Sequence, residues 1–295
     1  MDRLHEVFEI GRHSLRLQSS KASAVSGVLL EEIEFETGRG ERVRGFLTRP
    51  PETSGPLPAI VCIHAHGFAY EIGARELLDG RPSLQGPVGV LFAQMGFAAL
   101  MIDMPAFGVR AEPGESARAK ALLWRGRSLA GQMVGELSAA VDWLCSRDDI
   151  DTSRIGVFGI SMGATLGYWL AAVEPRIGCI THLCCYADFG KLIEAGAHDL
   201  HGIYLTVPGL LEIAGNGEIA GRIAPRPQLI CIGDLDPLTP PAAVDIALEQ
   251  TRAAYARAGA PDSLIVHRDA NDGHRETPIT RQMMLQFFRT HLAPA

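Results

Sequence analysis

No run among the 295 residues is long and apolar enough to span a membrane. The opening stretch, "MDRLHEVFEIGRHSLRLQSS", carries charges throughout and lacks the apolar centre of a secretory leader. Lys and Arg form no cluster that would track a phosphate backbone, and the net charge is −7, so neither nucleic acid nor a membrane is an expected partner. The six cysteines (Cys62, Cys145, Cys179, Cys184, Cys185, Cys231) lack the paired spacing of a zinc site or a disulfide framework. Most sit inside apolar strand-like runs, which predicts buried, reduced thiols and a cytoplasmic protein. Internal repeats, low-complexity tracts and long linkers are also missing, so one domain over 1–295 is expected.

What is present alternates. "VLLEEIEFET" from Val28 and "ERVRGFLTRP" from Glu41 show the period of half-buried strands joined by a turn at Gly38–Gly40, an antiparallel hairpin at a sheet edge. Continuous apolar runs follow, typical of strands covered on both faces: "AIVCIH" from Ala59, "FAALMID" from Phe97, "RIGVFGI" from Arg154, "IGCITHL" from Ile177, "PQLICIG" from Pro227 and "SLIVHRD" from Ser263. Helical patterns separate them, as where Leu129, Met133, Leu137, Val141 and Leu144 step at helical spacing. The expectation is an α/β fold, a mostly parallel central sheet with helices on both faces. Residues 184–224 break the alternation and read either as a cap-like insertion over the strand ends or as peripheral packing. Residues 1–27 are expected to form a helical extension, packed on its own domain or on a second copy in a homo-oligomer.

The stretch "RIGVFGISMG" sets Ser161 between Gly159 and Gly163, after a strand and before an apolar helical pattern. Gly-x-Ser-x-Gly alone is a weak signal, but a sharp strand-to-helix turn requires small residues there and would present the serine hydroxyl at the sheet's C-terminal edge. A serine nucleophile needs a base and an orienting acid. "CIGDLDPLTPP" ends a buried strand with Asp234 and Asp236; the proline and threonine after Asp236 fix its loop and favour it. "DANDGHRET" places His274 in a loop before the last helix, whereas His267 lies within a strand pattern and reads as a packed or edge residue.

Acyl transfer also needs N–H donors aimed at a developing oxyanion. Met162 N–H is one candidate. Phe68 N–H, in the loop "AHGFAYEIG", is the other, with Gly67 as its alternative. His64 and His66 form a metal pair only on paper, for no carboxylate or cysteine stands at suitable spacing, and neither metal nor cofactor is expected. His66, Met104, Phe107 and His201 are candidate substrate-pocket positions. Arg110 reads as a solvated loop residue or as a partner for an acidic substrate group. Trp124, Trp143 and Trp169 read as core or helix–helix packing.

With these pieces in place the chain resembles the α/β-hydrolase superfamily, in the branch of dienelactone-hydrolase-like, acetyl-xylan-esterase-like and prolyl-oligopeptidase-like proteins. The resemblance runs from about Ala59 to the C-terminus and is carried by "HAHGF", "IDMPAFG", "RIGVFGISMG", "IAPRPQLICIGDLDPLTPP" and "DGH". It implies the α/β-hydrolase fold, a Ser161–His274–Asp236 triad, oxyanion donation from Phe68 and Met162, and cofactor-free hydrolysis of a small-molecule carboxylic ester, a small acyl group favoured. A serine stands where true dienelactone hydrolases carry cysteine, and no propeller-sized domain precedes the catalytic part. Peptidase or thioesterase chemistry on the same triad remains open, as does a non-catalytic binding protein on the same fold.

Overall fold

In a computed structural model, described over residues 2–292, the chain forms nine strands and ten α-helices. Met1 and residues 293–295, the ends of the expected domain, lie outside the described residues. The strands are β1 (Leu15–Val25), β2 (Val28–Thr37), β3 (Arg42–Arg49), β4 (Leu57–Ile63), β5 (Ala98–Ile102), β6 (Ile150–Ile160), β7 (Ile177–Leu183), β8 (Gln228–Gly233) and β9 (Leu264–Asp269). The helices are α1 (Arg3–Val7), α2 (Glu76–Asp79), α3 (Gly89–Gln94), α4 (Glu115–Leu123), α5 (Leu129–Cys145), α6 (Met162–Val173), α7 (Phe189–Glu194), α8 (Asn216–Gly221), α9 (Pro241–Arg257) and α10 (Pro278–Leu292). None of the described helices is long and apolar enough to cross a membrane.

The strands form one sheet in the order β1-β2-β3-β5-β4-β6-β7-β8-β9. Pairing is antiparallel from β1 through β3 to β5 and parallel from β5 to β9. In register, Val61 lies beside Leu100 on one side and Val157 on the other. Because successive side chains point to opposite faces, each apolar strand feeds two cores. Ala59, Val61 and Ile63 pack with Met133, Leu137 and Leu166 of α5 and α6. Ile60 and Cys62 pack with Phe92 of α3 and Phe288 of α10. That is why the runs are continuous rather than alternating.

The N-terminal expectation is corrected. Only Arg3–Val7 is helical, and Leu15–Val25 is a strand pairing antiparallel with β2, its register shifting once between Leu17 and Ser19. Glu9 at φ 54° and Gly11 at φ 76° end the helical path. Ser26 and Gly27, both at positive φ, make the two-residue turn whose twist suits a hairpin. The β2–β3 hairpin is therefore one strand inside the edge. Leu4 and Phe8 are buried in this chain's own core, Phe8 stacking on Trp169 at 5.0 Å.

Two further readings change. Trp124 follows α4 and is 92% exposed, whereas Trp143 and Trp169 are buried. Arg110 is neither solvated nor free for substrate: its guanidinium, buried with Glu136, reaches that carboxylate at 2.5 Å, Glu41 at 2.7 Å and the Asp103 carbonyl at 3.1 Å. Removing one member of a buried ion pair strands the other charge. Glu136→Ala should therefore lower unfolding stability by about 3–5 kcal/mol, read from urea denaturation.

Two carboxylates also set the acid limit. Burial alone would raise Glu9, but hydrogen bonds and charge from His13 and Arg127 overcome it and hold the carboxyl at about 2. Glu41 is half-buried, which would raise it, but hydrogen bonds and charge from Arg110 and Arg118 likewise hold it at about 2. A folded value below the ordinary 4.5 gives stability that is complete above 4.5 and drains as pH falls toward 2. Acid unfolding should fall in that window, and Glu9→Gln, weaker at neutral pH, should show a flatter stability–pH curve across it.

Candidate active site

The site stands where β6 turns into α6. Ser161 sits at φ 59°, ψ −123°, a sparsely populated conformation that costs a non-glycine residue about 1–3 kcal/mol. Its flanking glycines make the turn sterically feasible. A Cβ on Gly159 would lie 2.1 Å from the Gly163 carbonyl oxygen, and one on Gly163 would lie 2.0 Å from that of Ile63. The Ser161 N–H donates to the Leu183 carbonyl at 3.0 Å, which stitches the turn to the end of β7. Cys184 N–H in turn donates to the Cys231 carbonyl at 2.9 Å, extending the stitching to β8.

Asp236 lies in the loop after β8, nearly fully buried, and Leu238 N–H donates to its Oδ1 at 2.9 Å. His274 Nδ1 donates to its Oδ2 at 2.6 Å. A carboxylate accepts, so the proton resides on Nδ1 and the Nε2 lone pair is left free. Asp234 is turned away onto Arg268, 2.5 Å from its Nε. His267 lies in the edge strand β9, opposite Cys231. The acid and the histidine favoured from sequence are thus the pair brought together. Ser161 Oγ is not yet joined to them: its recorded partner is Cys185 Sγ at 3.7 Å. Burial pushes the Cys185 thiol up to about 12, so it stays neutral beside the hydroxyl.

Of the expected oxyanion donors, Met162 N–H opens α6 and has no acceptor within the helix. Phe68 N–H is engaged: it donates to His66 Nδ1 at 3.0 Å. Gly67 and Phe68 both lie at φ 54°, and the Phe68 side chain is 67% exposed. His66 is held in turn, its Nε2 donating to Glu115 Oε2 at 3.0 Å. The same oxygen accepts from Tyr70 OH at 2.8 Å, and Glu115 Oε1 accepts from Tyr204 N–H at 2.9 Å. Tyr204 stacks on the imidazole at 5.5 Å. The segment carrying Phe68 is therefore fixed from α4 and from the insertion. The spacing of Glu115, Tyr70 and Tyr204 in sequence gave no sign of this cluster.

His64 uses both ring nitrogens as well, toward the Ala65 carbonyl at 3.0 Å and Met104 N–H at 3.2 Å. Burial lowers it to about 3, so the ring is neutral. Neither His64 nor His66 has a nitrogen left for a metal. Met104 and Phe107, expected along a pocket, are instead fully buried behind the loop, Phe107 packing on His64, His66 and Tyr70. His201 is half-buried, its Nε2 3.0 Å from the Leu238 carbonyl, and burial lowers its basicity. Among the described residues, Cys184, Asp236 and His274 bring donor atoms within 4.8 Å of one another. Burial and the nearby Asp236 charge both raise the Cys184 thiol, and a neutral thiol is a poor metal ligand. All six cysteines are free, and all but Cys145 are buried.

Sheet order, the strained serine and the Asp–His pair at the strand ends define an α/β-hydrolase, a hydrolytic enzyme. The chain belongs to the X-Pro dipeptidyl-peptidase (S15) family, whose profile matches residues 40–273. It is 34% identical over 284 residues to YtaP of Bacillus subtilis, which is named as a hydrolase, covering 96% of this chain and 93% of that protein. Against the esterase FrsA of Yersinia enterocolitica it is 28% identical over 233 residues, 72% of this chain and 49% of that one. The chain therefore spans about half of FrsA. In three dimensions it is similar to the acetyl xylan esterase from Paenibacillus sp. R4, with TM-score 0.69 and 21% identity over 99% of this chain and 93% of that one.

The glycine contacts generate a direct test. Gly163→Ala puts a methyl group into the Ile63 carbonyl, with backbone rather than a flexible side chain as the obstacle. It should destabilise the fold by about 3 kcal/mol or more, the upper end of overpacking effects, measured by urea unfolding.

Proposed function

We propose that the protein hydrolyses a small-molecule carboxylic ester with a small acyl group, through an acyl-enzyme on Ser161. The observation that carries the reading is the 2.6 Å Asp236–His274 contact at the strand ends beside the strained Ser161 turn. The names of its relatives, a hydrolase and esterases, support it. Turning Ser161 Oγ from Cys185 toward His274 Nε2 gives the hydroxyl its base. Oγ then bonds to the acyl carbon while its proton passes to Nε2. The carbon–oxygen bond to the alcohol breaks, and the departing oxygen takes that proton from His274. Water, deprotonated by the same nitrogen, releases the acid and restores Ser161.

Asp236 holds the Nδ1–H tautomer and stabilises the transient imidazolium. Met162 N–H and Phe68 N–H serve the oxyanion, the latter once it leaves His66. Ser161 is only slightly exposed and sits against buried Met162 and Cys185, which favours a small acyl group. The S15 family name keeps a peptidase as the second reading. The abundance of free, buried thiols is in keeping with a cytoplasmic site of action.

Ser161→Ala should lower turnover of p-nitrophenyl acetate by on the order of 10⁴-fold or more with unchanged folding, and should abolish labelling by a fluorophosphonate probe. Full activity or labelling in a pure sample of that variant defeats the assignment. An X-Pro dipeptide anilide cleaved faster than any ester would move the protein to the second reading.

A further inference from the structure

Among the described residues every buried carboxylate faces an arginine, as Glu136 faces Arg110 and Glu276 faces Arg281, with two exceptions. Those two, Asp236 and Glu115, face an imidazole instead, His274 and His66 respectively. Asp236 belongs to the catalytic pair. The function proposed above leaves Glu115 without a role. Elsewhere the fold fastens loops with acid–arginine pairs; here it keeps a more costly anion with no permanent cation beside it.

Glu115 opens α4 and accepts three bonds. His66 Nε2–H at 3.0 Å and Tyr70 OH at 2.8 Å share one oxygen, and Tyr204 N–H reaches the other at 2.9 Å. Burial would raise its carboxyl, but the bonds from His66, Tyr204 and Tyr70 outweigh that and hold it below the ordinary range, so it is ionised at neutral pH. An ionised carboxylate only accepts, which is what three converging donors require. Gly202 closes the pair from the insertion: an added Cβ would lie 2.6 Å from His66 Nε2 and 2.7 Å from Glu115 Oε1.

These bonds fix a tautomer. Because Glu115 accepts from Nε2 and Phe68 N–H donates to Nδ1, the single ring proton of His66 sits on Nε2 and Nδ1 keeps its lone pair. The Asp236–His274 pair has the reverse tautomer, with the proton on Nδ1 and Nε2 free. We propose that Glu115 is a positioning residue of the oxyanion loop: by holding the His66 proton on Nε2 it keeps Nδ1 an acceptor, and so keeps Phe68 N–H in the loop geometry from which it serves the oxyanion. The inference rests on the ester-hydrolase reading above. Glu115→Gln reverses the arrangement. Tyr204 N–H is a fixed donor and claims the amide oxygen, so the amide N–H2 faces the imidazole, which can change tautomer. The ring proton then moves to Nδ1 and meets Phe68 N–H, donor against donor. Gly67 and Phe68, both at φ 54°, lose the bond that holds their turn.

In Glu115→Gln, kcat for p-nitrophenyl acetate should fall about a hundredfold with KM changed by no more than about twofold, since losing one oxyanion donor costs on the order of 10²–10³ in kcat. Two-bond ¹H–¹⁵N spectra, with the His66 signal identified by its loss in His66→Asn, should show the ring proton on Nε2 in the unaltered protein and on Nδ1 in Glu115→Gln. The asparagine variant also supplies a cycle. Its side-chain carbonyl accepts from the N–H two residues on without help from Glu115, so Glu115→Gln should cost far less kcat in that background than in the unaltered protein. Gly202→Ala wedges a methyl group against the same two side chains while leaving the carboxylate in place. It should show the same loss in kcat, and it carries the kinetic test if Glu115→Gln does not fold.

A His66 proton found on Nδ1 in the unaltered protein overturns the proposal without any variant. So does a folded Glu115→Gln that keeps its kcat, that loses only in KM, or that costs as much beside His66→Asn as alone; each would leave Glu115 a structural fastening. The spectra need no substrate and so do not depend on the reaction. Loss of all ester turnover in Ser161→Ala with an unaltered kcat in Glu115→Gln sinks only the positioning role, whereas persistent turnover in Ser161→Ala sinks the ester reading itself.

Discussion

The molecule depends on a backbone-to-backbone contact that leaves no room for a single methyl group. Gly163 stands against the Ile63 carbonyl, and Gly159 against Gly163, so β4, β6 and the start of α6 meet with only hydrogens between them. That closeness lets the chain reverse direction within one residue, and Ser161 is the residue that absorbs the strain. The strain of about 1–3 kcal/mol is sustained because the surroundings over-determine the turn. The Ser161 N–H is held by β7, α6 is buried along nearly its whole length, and the parallel strands on either side fix the turn in space. A serine in a relaxed turn would not be presented at the strand ends.

Around that point the structure uses buried charge to fix loops rather than to bind anything. Arg110 locks the loop after β5 to α5 through Glu136 and to the β2–β3 turn through Glu41. Asp103 accepts from Ala74 N–H at 2.6 Å and Val109 N–H at 2.9 Å, closing the loops after β4 and β5 on one another. Glu76 pairs with Arg81 at 2.5 Å and accepts from Ala65 N–H at 3.0 Å, bracing the segment that leads to Phe68. Buried ion pairs contribute little net stability, but each is costly to break, so they favour one loop arrangement over its competitors.

How much of this was legible follows from range. The parallel strands read well because a strand covered on both faces is a continuous apolar run, and β7 begins and ends where "IGCITHL" does. The Ser161 turn and the Asp236–His274 contact were legible because each of these residues follows such a run, in a fixed order along the chain. β1 was missed because nearly all of it is exposed and its polar and apolar residues follow no regular alternation, so periodicity carried no signal; the one sign was the Ser26–Gly27 turn directly before β2. Arg110 was misread because an arginine in a loop looks solvated until Glu136, far along the chain, is known to face it. The cluster of His66, Tyr70, Glu115 and Tyr204 was hidden for the same reason: its members come from three segments that only the folded chain brings together.

The resting geometry has a logic of its own. In the absence of substrate, a hydroxyl and an amide near a dry site still need partners, since a buried polar group left unsatisfied costs about 1–3 kcal/mol. Ser161 Oγ finds the neutral Cys185 thiol and Phe68 N–H finds His66 Nδ1. Both partners are weaker than those proposed for catalysis, because a thiol is a poor hydrogen-bonding group and a neutral imidazole carries less charge than an oxyanion. On the proposed chemistry an arriving carbonyl would exchange weak contacts for charge-assisted ones, and the exchange would be largest where charge is greatest, at the tetrahedral stage. Stabilisation that grows toward the transition state speeds the chemistry rather than merely tightening substrate binding.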